Sequence, residues 1–269
     1  MRHFGANARV QYRGVVNHFA AETVTEAPLV SVVGLSKAFS GTKVLDALDL
    51  ELRGGEVVGL LGPNGAGKTT TLKLMLGLLR PSAGYARILG FDCTADSQKV
   101  KERIGFTPDE PQFYDFLTGR ESIDFVISAR GLDAQSAWAA LDEMVRLLDF
   151  EPQLAALTAS YSHGMKKKLA LLCALVHRPR VLLLDEPTNG LDPPTALRVR
   201  QLLRREAEAG CAVLLSTHLL DMADRMCDQM LIIHRGRKIA AGTALDVRAQ
   251  AGVATEATLE DAFLKLVGA

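Results

Sequence analysis

The chain has 269 residues, of which 48% are hydrophobic, so it is long enough for one large domain or two small ones with a substantial core. Its 31 basic and 31 acidic residues cancel, and this balance gives no sign of the electrostatic attraction that binds nucleic acid or anionic lipid, although a local basic patch is compatible with it. No apolar run reaches the roughly 18 residues that cross a bilayer. The four cysteines lack metal-binding spacing, and we interpret them as small buried residues in a reducing compartment.

The N-terminal residues 1–28 have a mixed, aperiodic composition without a continuous apolar stretch, which argues against a cleaved secretory signal. We expect a flexible leader there and folded structure from Leu29 onward. The β-branched residues 30–33 and the alternating residues 48–52 predict two early strands that form an antiparallel edge. A short apolar run at residues 57–61 predicts a buried strand, and a helix-compatible stretch at 67–79 follows a glycine-rich turn.

Later in the chain, short apolar runs alternate with helical patterns. The runs 181–184, 213–215 and 230–233 predict buried strands, and the helical patterns occupy residues 196–209 and 219–227. Continuous apolar strands separated by helices are typical of a parallel sheet that is covered on both faces.

Residues of about 110–178 have helical periodicity and almost no strand signal, which predicts an inserted helical subdomain. We expect the main domain to occupy residues 29–250, followed at 251–269 by a linker and a helix that packs on the domain or, alternatively, on a partner. Thr258 begins that helix with a capping-box pattern. The predicted fold is therefore α/β, with a mainly parallel sheet, an antiparallel β edge and a helical insertion.

A phosphate-loop motif, GxxxxGK[ST], follows the predicted strand at 57–61 and opens the next helix. In such a loop, backbone N–H groups and the helix N-terminus bind phosphate, Lys68 bridges terminal phosphate oxygens and the Thr69 hydroxyl binds Mg²⁺. These features predict a P-loop core that binds ATP and Mg²⁺. The predicted nucleotide-binding residues of the loop are Gly62, Pro63, Asn64, Gly65, Ala66, Gly67, Lys68, Thr69 and Thr70.

Two carboxylates, Asp185 and Glu186, follow the apolar run 181–184 at the end of a predicted strand, which is the usual ligand edge of an open α/β sheet. We expect Asp185 to bind Mg²⁺ through water. Glu186 is predicted to be the general base that polarises the attacking water.

The stretch 185–193, Asp-Glu-Pro-Thr-Asn-Gly-Leu-Asp-Pro, resembles the magnesium-site strand and D-loop of ABC ATPases, and the resemblance extends over residues 29–267. It implies that His218 contacts the γ-phosphate as a catalytic residue together with Lys68, and that Asp192 contributes to nucleotide binding. It also implies that Phe39 stacks on adenine, although Phe39 as an edge-strand core residue is the alternative.

The segment 161–165, Tyr-Ser-His-Gly-Met, resembles the signature loop of the family, with Ser162 and Gly164 retained and two variant positions between and after them. The resemblance implies that this loop binds the nucleotide of a second ATP-binding domain, for which an identical copy is expected. For the lysine run 166–168 that follows, we favour a solvated helix face, with phosphate steering as the alternative.

Asp109 stands where the family generally has Gln or Glu, and the resemblance implies that it senses Mg²⁺ through water. The aromatic residues Phe113, Tyr114 and Phe116 resemble the region that receives the coupling helix of an integral membrane permease subunit. Alternatively, these rings hold the helical subdomain together.

The resemblance predicts a cytoplasmic ATPase subunit, peripheral at the inner face of the cell membrane, that powers export of drugs, lipids or polysaccharides through a separate membrane subunit. A soluble ABC ATPase that acts on nucleic acid or ribosomes is the alternative, but the coiled coils or basic extensions typical of that class are not visible, and no nucleic-acid partner is expected. A regulatory protein with weakened catalysis is a further alternative.

Overall fold

The computed structural model describes residues 27–268, so the predicted leader, residues 1–28, lies outside the described part except for its last two residues. The strands of the described part are β1 (Val30–Phe39), β2 (Thr42–Leu52), β3 (Val57–Leu61), β4 (Ala83–Ile88), β5 (Phe91–Asp92), β6 (Ile104–Thr107), β7 (Val181–Asp185), β8 (Ala212–Thr217), β9 (Gln229–His234) and β10 (Arg237–Gly242). The α-helices are α1 (Lys68–Met75), α2 (Ser97–Arg103), α3 (Gly119–Ala129), α4 (Ala134–Leu147), α5 (His163–Leu175), α6 (Pro193–Glu208), α7 (Leu220–Met226), α8 (Ala244–Ala251) and α9 (Leu259–Val267).

The main sheet has six strands in the order β10-β9-β3-β8-β7-β6, and all of them except β10 run parallel. Every residue of β3, β7 and β8 is buried, as expected for continuous apolar strands that are covered on both faces. Because these three strands are neighbours and parallel, the loops that follow them meet at one edge of the sheet. The predicted mainly parallel sheet is confirmed, and this edge carries the phosphate loop, the strand-end carboxylates and His218.

The early strands pair antiparallel, as predicted, but they form a sheet of their own rather than the edge of the main sheet. Its order is β2-β1-β4-β5. Helix α1 lies between the two sheets and contacts strands of both, and Leu45, Val58 and Leu72 belong to one buried cluster that joins these layers. Strand β4 gave no signal in the sequence because only two of its residues are buried, so it has no apolar run.

Helices α3, α4 and α5, with two single turns of 3₁₀-helix, fill the chain between β6 and β7. Their apolar faces meet around Ile123, Leu141, Phe150 and Leu169, each completely buried. The Thr118 hydroxyl and Glu121 form a reciprocal capping box that begins α3.

Helix α1 is shorter than the predicted stretch 67–79 and ends at Met75. Gly77 has a φ of 64°, and its N–H donates to the carbonyl of Leu74. A Cβ atom at Gly77 would lie 2.2 Å from the carbonyl oxygen of Cys93, so the chain turns there in a left-handed conformation that only glycine can adopt in this space.

At the C-terminal end, Thr258 and Asp261 form the capping box that begins α9. Leu259 and Ala262 are buried, and the helix packs against α7 and α8. Between residues 27 and 268, no helix combines the length and the apolar character needed to cross a bilayer.

Candidate nucleotide site

The phosphate loop connects β3 to α1, and two of its glycines are required by close backbone contacts. Gly62 has a φ of 154°, and a Cβ there would lie 2.2 Å from the carbonyl oxygen of Ile233. Gly67 has a φ of 111° at the N-cap of α1, where no side chain satisfies the first backbone N–H groups. These amides are therefore available to an anion at the positive end of the helix.

Lys68 is buried, with 6% of its surface exposed, and its side chain folds back over the loop. Its Nζ donates to the carbonyl oxygen of Gly62 at 2.7 Å and lies 3.5 Å from Oε1 of Glu186. The cation thus stands between the phosphate loop and the carboxylate that follows β7.

Asp185, the last residue of β7, accepts hydrogen bonds on both carboxylate oxygens. The Thr69 hydroxyl donates to Oδ2 at 2.9 Å, and the Ser216 hydroxyl donates to Oδ1. The Thr69 hydroxyl and the Asp185 carboxylate form the kind of hard oxygen donor set that Mg²⁺ prefers.

Glu186 combines a buried carboxylate with a left-handed backbone. Its φ is 47°, a conformation that costs a non-glycine residue on the order of 1–3 kcal/mol. The ring Nδ1 of His218, at the end of β8, lies 2.9 Å from Oε1, and the main-chain N–H of His218 donates to Oε2 at 3.4 Å. The phosphate loop, the β7 end and the β8 end therefore bring Lys68, Glu186 and His218 into one connected group.

A cavity of about 180 Å³ opens above this group. Its lining contains most of the predicted phosphate-loop residues together with Asp109 and Glu186. One lining residue, Val44 of β2, was not predicted, because an apolar side chain in an exposed hairpin carries no motif. The lining residues are Val44, Pro63, Asn64, Gly65, Gly67, Lys68, Thr69, Thr70, Asp109 and Glu186.

The preferred interpretation of the lysine run as a solvated helix face is wrong for Lys167. This residue is 6% exposed, and its Nζ donates to Oδ1 of Asp109 at 3.0 Å. Lys167 lies three and four positions before the buried Ala170 and Leu171, so helical periodicity alone would have placed it on the apolar face of α5. Lys166 and Lys168 are partly exposed.

The other predicted site residues lie outside the cavity lining. Phe39, at the end of β1, is 43% exposed, and Nζ of Lys37 lies 4.9 Å from its ring centroid. Ser162 is the N-cap of α5 and accepts from the N–H of Met165.

Gly164 and Asp192 adjoin each other through the loop that follows β7. A Cβ at Gly164 would lie 3.2 Å from Cδ2 of Leu191, and Asp192 begins α6 by accepting from the N–H of Thr195 at 2.9 Å. Hydrogen bonds from the Thr195 backbone and hydroxyl lower the pKa of Asp192, which keeps this capping carboxylate ionised.

Tyr114 and Phe125, two exposed aromatic residues, line a second cavity, of about 490 Å³, in the helical subdomain, and Phe116 lies beside Tyr114. Tyr114 lies 5.5 Å from Phe116 and 6.0 Å from Phe125 between ring centroids. Phe113 packs against the core of the subdomain, as the alternative for these rings predicted, whereas Phe116 is 73% exposed and Tyr114 57%. We call Tyr114, Phe116 and Phe125 the aromatic patch.

Comparison with known proteins places the chain in a family. The family model described as "ABC transporter" matches residues 45–189, more than half of the chain. The probable multidrug ABC transporter ATP-binding protein YbhF of Escherichia coli is 33% identical over 265 residues, which are 98% of this chain and 46% of that protein. The chain therefore spans about half the length of that relative.

Two further comparisons agree. The daunorubicin/doxorubicin resistance ATP-binding protein DrrA of Streptomyces peucetius is 37% identical over 83% of this chain and 68% of that protein. A solved structure titled "Structure of ATP binding subunit of ABC transporter" superposes with a TM-score of 0.83 and 33% identity, covering 89% of this chain and 99% of that one. The chain belongs to the ABC transporter family, and the relatives and the solved structure that it matches are named as ATP-binding proteins of that family.

Proposed function

We propose that the chain is the ATPase subunit of an ABC exporter and drives a separate integral membrane subunit. The observation that carries the proposal is the buried group of Lys68, Glu186 and His218 beside the phosphate loop, because it joins a phosphate-binding cation to a carboxylate and a histidine at one sheet edge. The names of two relatives, a probable multidrug transporter protein and a drug-resistance protein, favour export over import.

Within this function, each residue of the site has a role. The loop amides and Lys68 bind the β- and γ-phosphates of ATP, Glu186 orients and deprotonates the attacking water, and His218 contacts the γ-phosphate. Thr69 and Asp185 would hold Mg²⁺, which when bound neutralises charge on the phosphates. Asp109 lines the cavity, and we propose that it contacts the metal through a water molecule.

A second ATP-binding domain completes the site in this proposal. Ser162, Gly164 and Asp192 do not line the chain's own cavity, and a Cβ at Gly164 would lie 3.2 Å from Leu191, so the two segments are close enough to present one surface to a facing domain. We propose that the facing domain is an identical copy. Closure of the pair would then trap ATP between the phosphate loop of one copy and the α5 N-terminus of the other.

The aromatic patch is the proposed docking site of the membrane subunit, which places the domain at the cytoplasmic face of the cell membrane. Exposed rings around an apolar cavity fit the insertion of an apolar partner segment. The proposed ATPase domain keeps the predicted bounds, residues 29–250 with the helical subdomain at about 110–178, and 251–269 form the C-terminal linker and helix.

Co-purification tests this proposal. The chain is isolated from gently solubilised native membranes in the presence of ATP, in parallel with Phe116→Ser and with Leu245→Ser, which removes an exposed leucine from α8. We expect a polytopic membrane protein to co-purify with the wild type and with Leu245→Ser, and to be lost with Phe116→Ser. Recovery of ribosomes or nucleic acid without a membrane protein would favour the soluble class of ABC ATPases and contradict the proposal.

A further inference from the structure

Lys167 is a buried cation on helix α5 that contacts two loops at the nucleotide site. It lies on the apolar face of α5, and its Nζ donates to Oδ1 of Asp109 at 3.0 Å and to the main-chain carbonyl oxygen of Glu186 at 2.5 Å. Asp109 belongs to the loop after β6, whereas Glu186 follows β7. One ammonium group therefore joins the helical subdomain to both loops at the nucleotide site.

The burial of this ammonium group requires such partners. An unpaired charge would be strongly destabilised in the interior, so the carboxylate of Asp109 and the carbonyl of Glu186 replace the lost water. The side chain of Lys167 is 4% exposed, whereas that of Asp109 is 41% exposed. Lys167 is therefore enclosed by the protein, and Asp109 is accessible to solvent and ligands.

Lys167 contacts Glu186 through the main chain of Glu186. Glu186 has a left-handed backbone, and its main-chain N–H donates to the carbonyl oxygen of Ser216 at 3.0 Å. Lys167 and the main-chain N–H of Asn189, the latter at 3.2 Å, both donate to the carbonyl oxygen of the same residue, so both main-chain polar groups of Glu186 are hydrogen-bonded. Its carboxylate lies beside Lys68 and His218.

We propose that Lys167 is a positioning residue for ATP hydrolysis: it holds the backbone of Glu186 in its left-handed conformation and ties it to Asp109. The inference rests on the proposed role of Glu186 as the base. Lys167 acts through Glu186 and does not line the nucleotide cavity.

The test compares Lys167→Met, which keeps length and burial, with Lys167→Arg, which keeps the charge. Lys265→Met is the matched control, because Lys265 of α9 is exposed and makes no ion pair within residues 27–268. We expect Lys167→Met to lower kcat by about 10- to 100-fold while KM for ATP stays within about twofold, as befits a misplaced base. Lys167→Arg should recover a large part of kcat, and Lys265→Met should match the wild type.

A second readout separates positioning from a general structural role. Amide hydrogen exchange in the absence of nucleotide should quicken at Glu186, Thr188 and Asn189 in Lys167→Met while the strands of the main sheet keep their protection. Uniform loss of protection, or equal loss of kcat and nucleotide binding without rescue by arginine, would overturn the inference. If the methionine variant does not fold, Lys167→Gln is measured by the same criteria.

Glu186→Gln is measured in parallel to separate the two proposals. If Glu186→Gln is inactive and Lys167→Met has wild-type kcat, the inference about Lys167 is wrong and the role of Glu186 stands. If Glu186→Gln itself turns over at the wild-type rate, the assignment of the base is wrong and the inference about Lys167 falls with it.

Discussion

The Nζ atom of Lys68 lies 3.5 Å from Oε1 of Glu186, so the phosphate-loop lysine and the proposed base form a buried ion pair. The same lysine donates to the carbonyl oxygen of Gly62. A γ-phosphate that enters the cavity would replace these partners, because a phosphate offers charged oxygens to the same ammonium group.

Lys68→Met should therefore weaken ATP binding by about 100-fold, the loss expected when a charge-assisted contact to phosphate is removed. Lys73→Met is the control, since Lys73 lies on the exposed face of the same helix. Binding is measured by calorimetry on the folded variants. Equal ATP affinity in Lys68→Met and the wild type would contradict the phosphate-binding role of the loop.

Gly62→Ala should reduce the free energy of unfolding by about 3 kcal/mol, because its Cβ would overlap the carbonyl oxygen of Ile233. Gly41→Ala is the matched control: Gly41 also has a positive φ, of 84°, but no atom lies within 4 Å of the added Cβ. We expect it to cost only about 1 kcal/mol of backbone strain. Urea unfolding measures the free energy of unfolding of both variants. If the two variants lose similar amounts, the close contact with Ile233 is not the reason why position 62 requires glycine.

Phe39→Leu should weaken ATP binding by about tenfold if the ring stacks on adenine. Binding of inorganic triphosphate, which has no base, should be unchanged. Tyr85→Leu removes a partly exposed aromatic ring from β4 and serves as the control. Unchanged ATP affinity in Phe39→Leu would leave Phe39 as an edge-strand residue, the alternative that the sequence also allowed.

His177 makes stability depend on pH. Burial, together with the nearby Arg130 cation, lowers its pKa to about 4, and within the described residues its buried Nδ1 has no hydrogen-bond partner. Because the pKa is lower in the folded than in the unfolded state, the unfolded chain binds the proton more readily between pH 6.5 and 4. Stability is thus fully present above pH 6.5 and is lost as the pH falls.

We expect protonation of His177 to lower the free energy of unfolding by about 1–3 kcal/mol between pH 7 and pH 4. This range includes a reduction for solvent screening, because His177 is partly exposed. His177→Gln, whose amide can still donate to the carbonyl of Ile104, should lose that part of the pH dependence. Urea unfolding of both proteins at several pH values measures the difference. A parallel decrease in the two proteins would assign the loss to other groups.

Local patterns predicted the elements that build the site, and tertiary contacts account for what they missed. The run 57–61 is β3, and the phosphate loop follows it. Both could be predicted because an apolar strand and a glycine-rich motif are patterns of neighbouring residues in the sequence. The placement of β1 and β2 in a separate sheet depends on β4, whose exposed side chains give no periodic signal. The pairing of Lys167 with Asp109 joins residues 58 positions apart, and no local pattern states such a contact.

Phosphate release from Mg-ATP, measured in the wild type and in Glu186→Gln, shows whether the chain hydrolyses ATP through Glu186. We expect the variant still to bind ATP, because Lys68 and the loop amides remain, and its turnover to fall by about 10²- to 10⁴-fold. Wild-type turnover in Glu186→Gln would show that Glu186 is not the base.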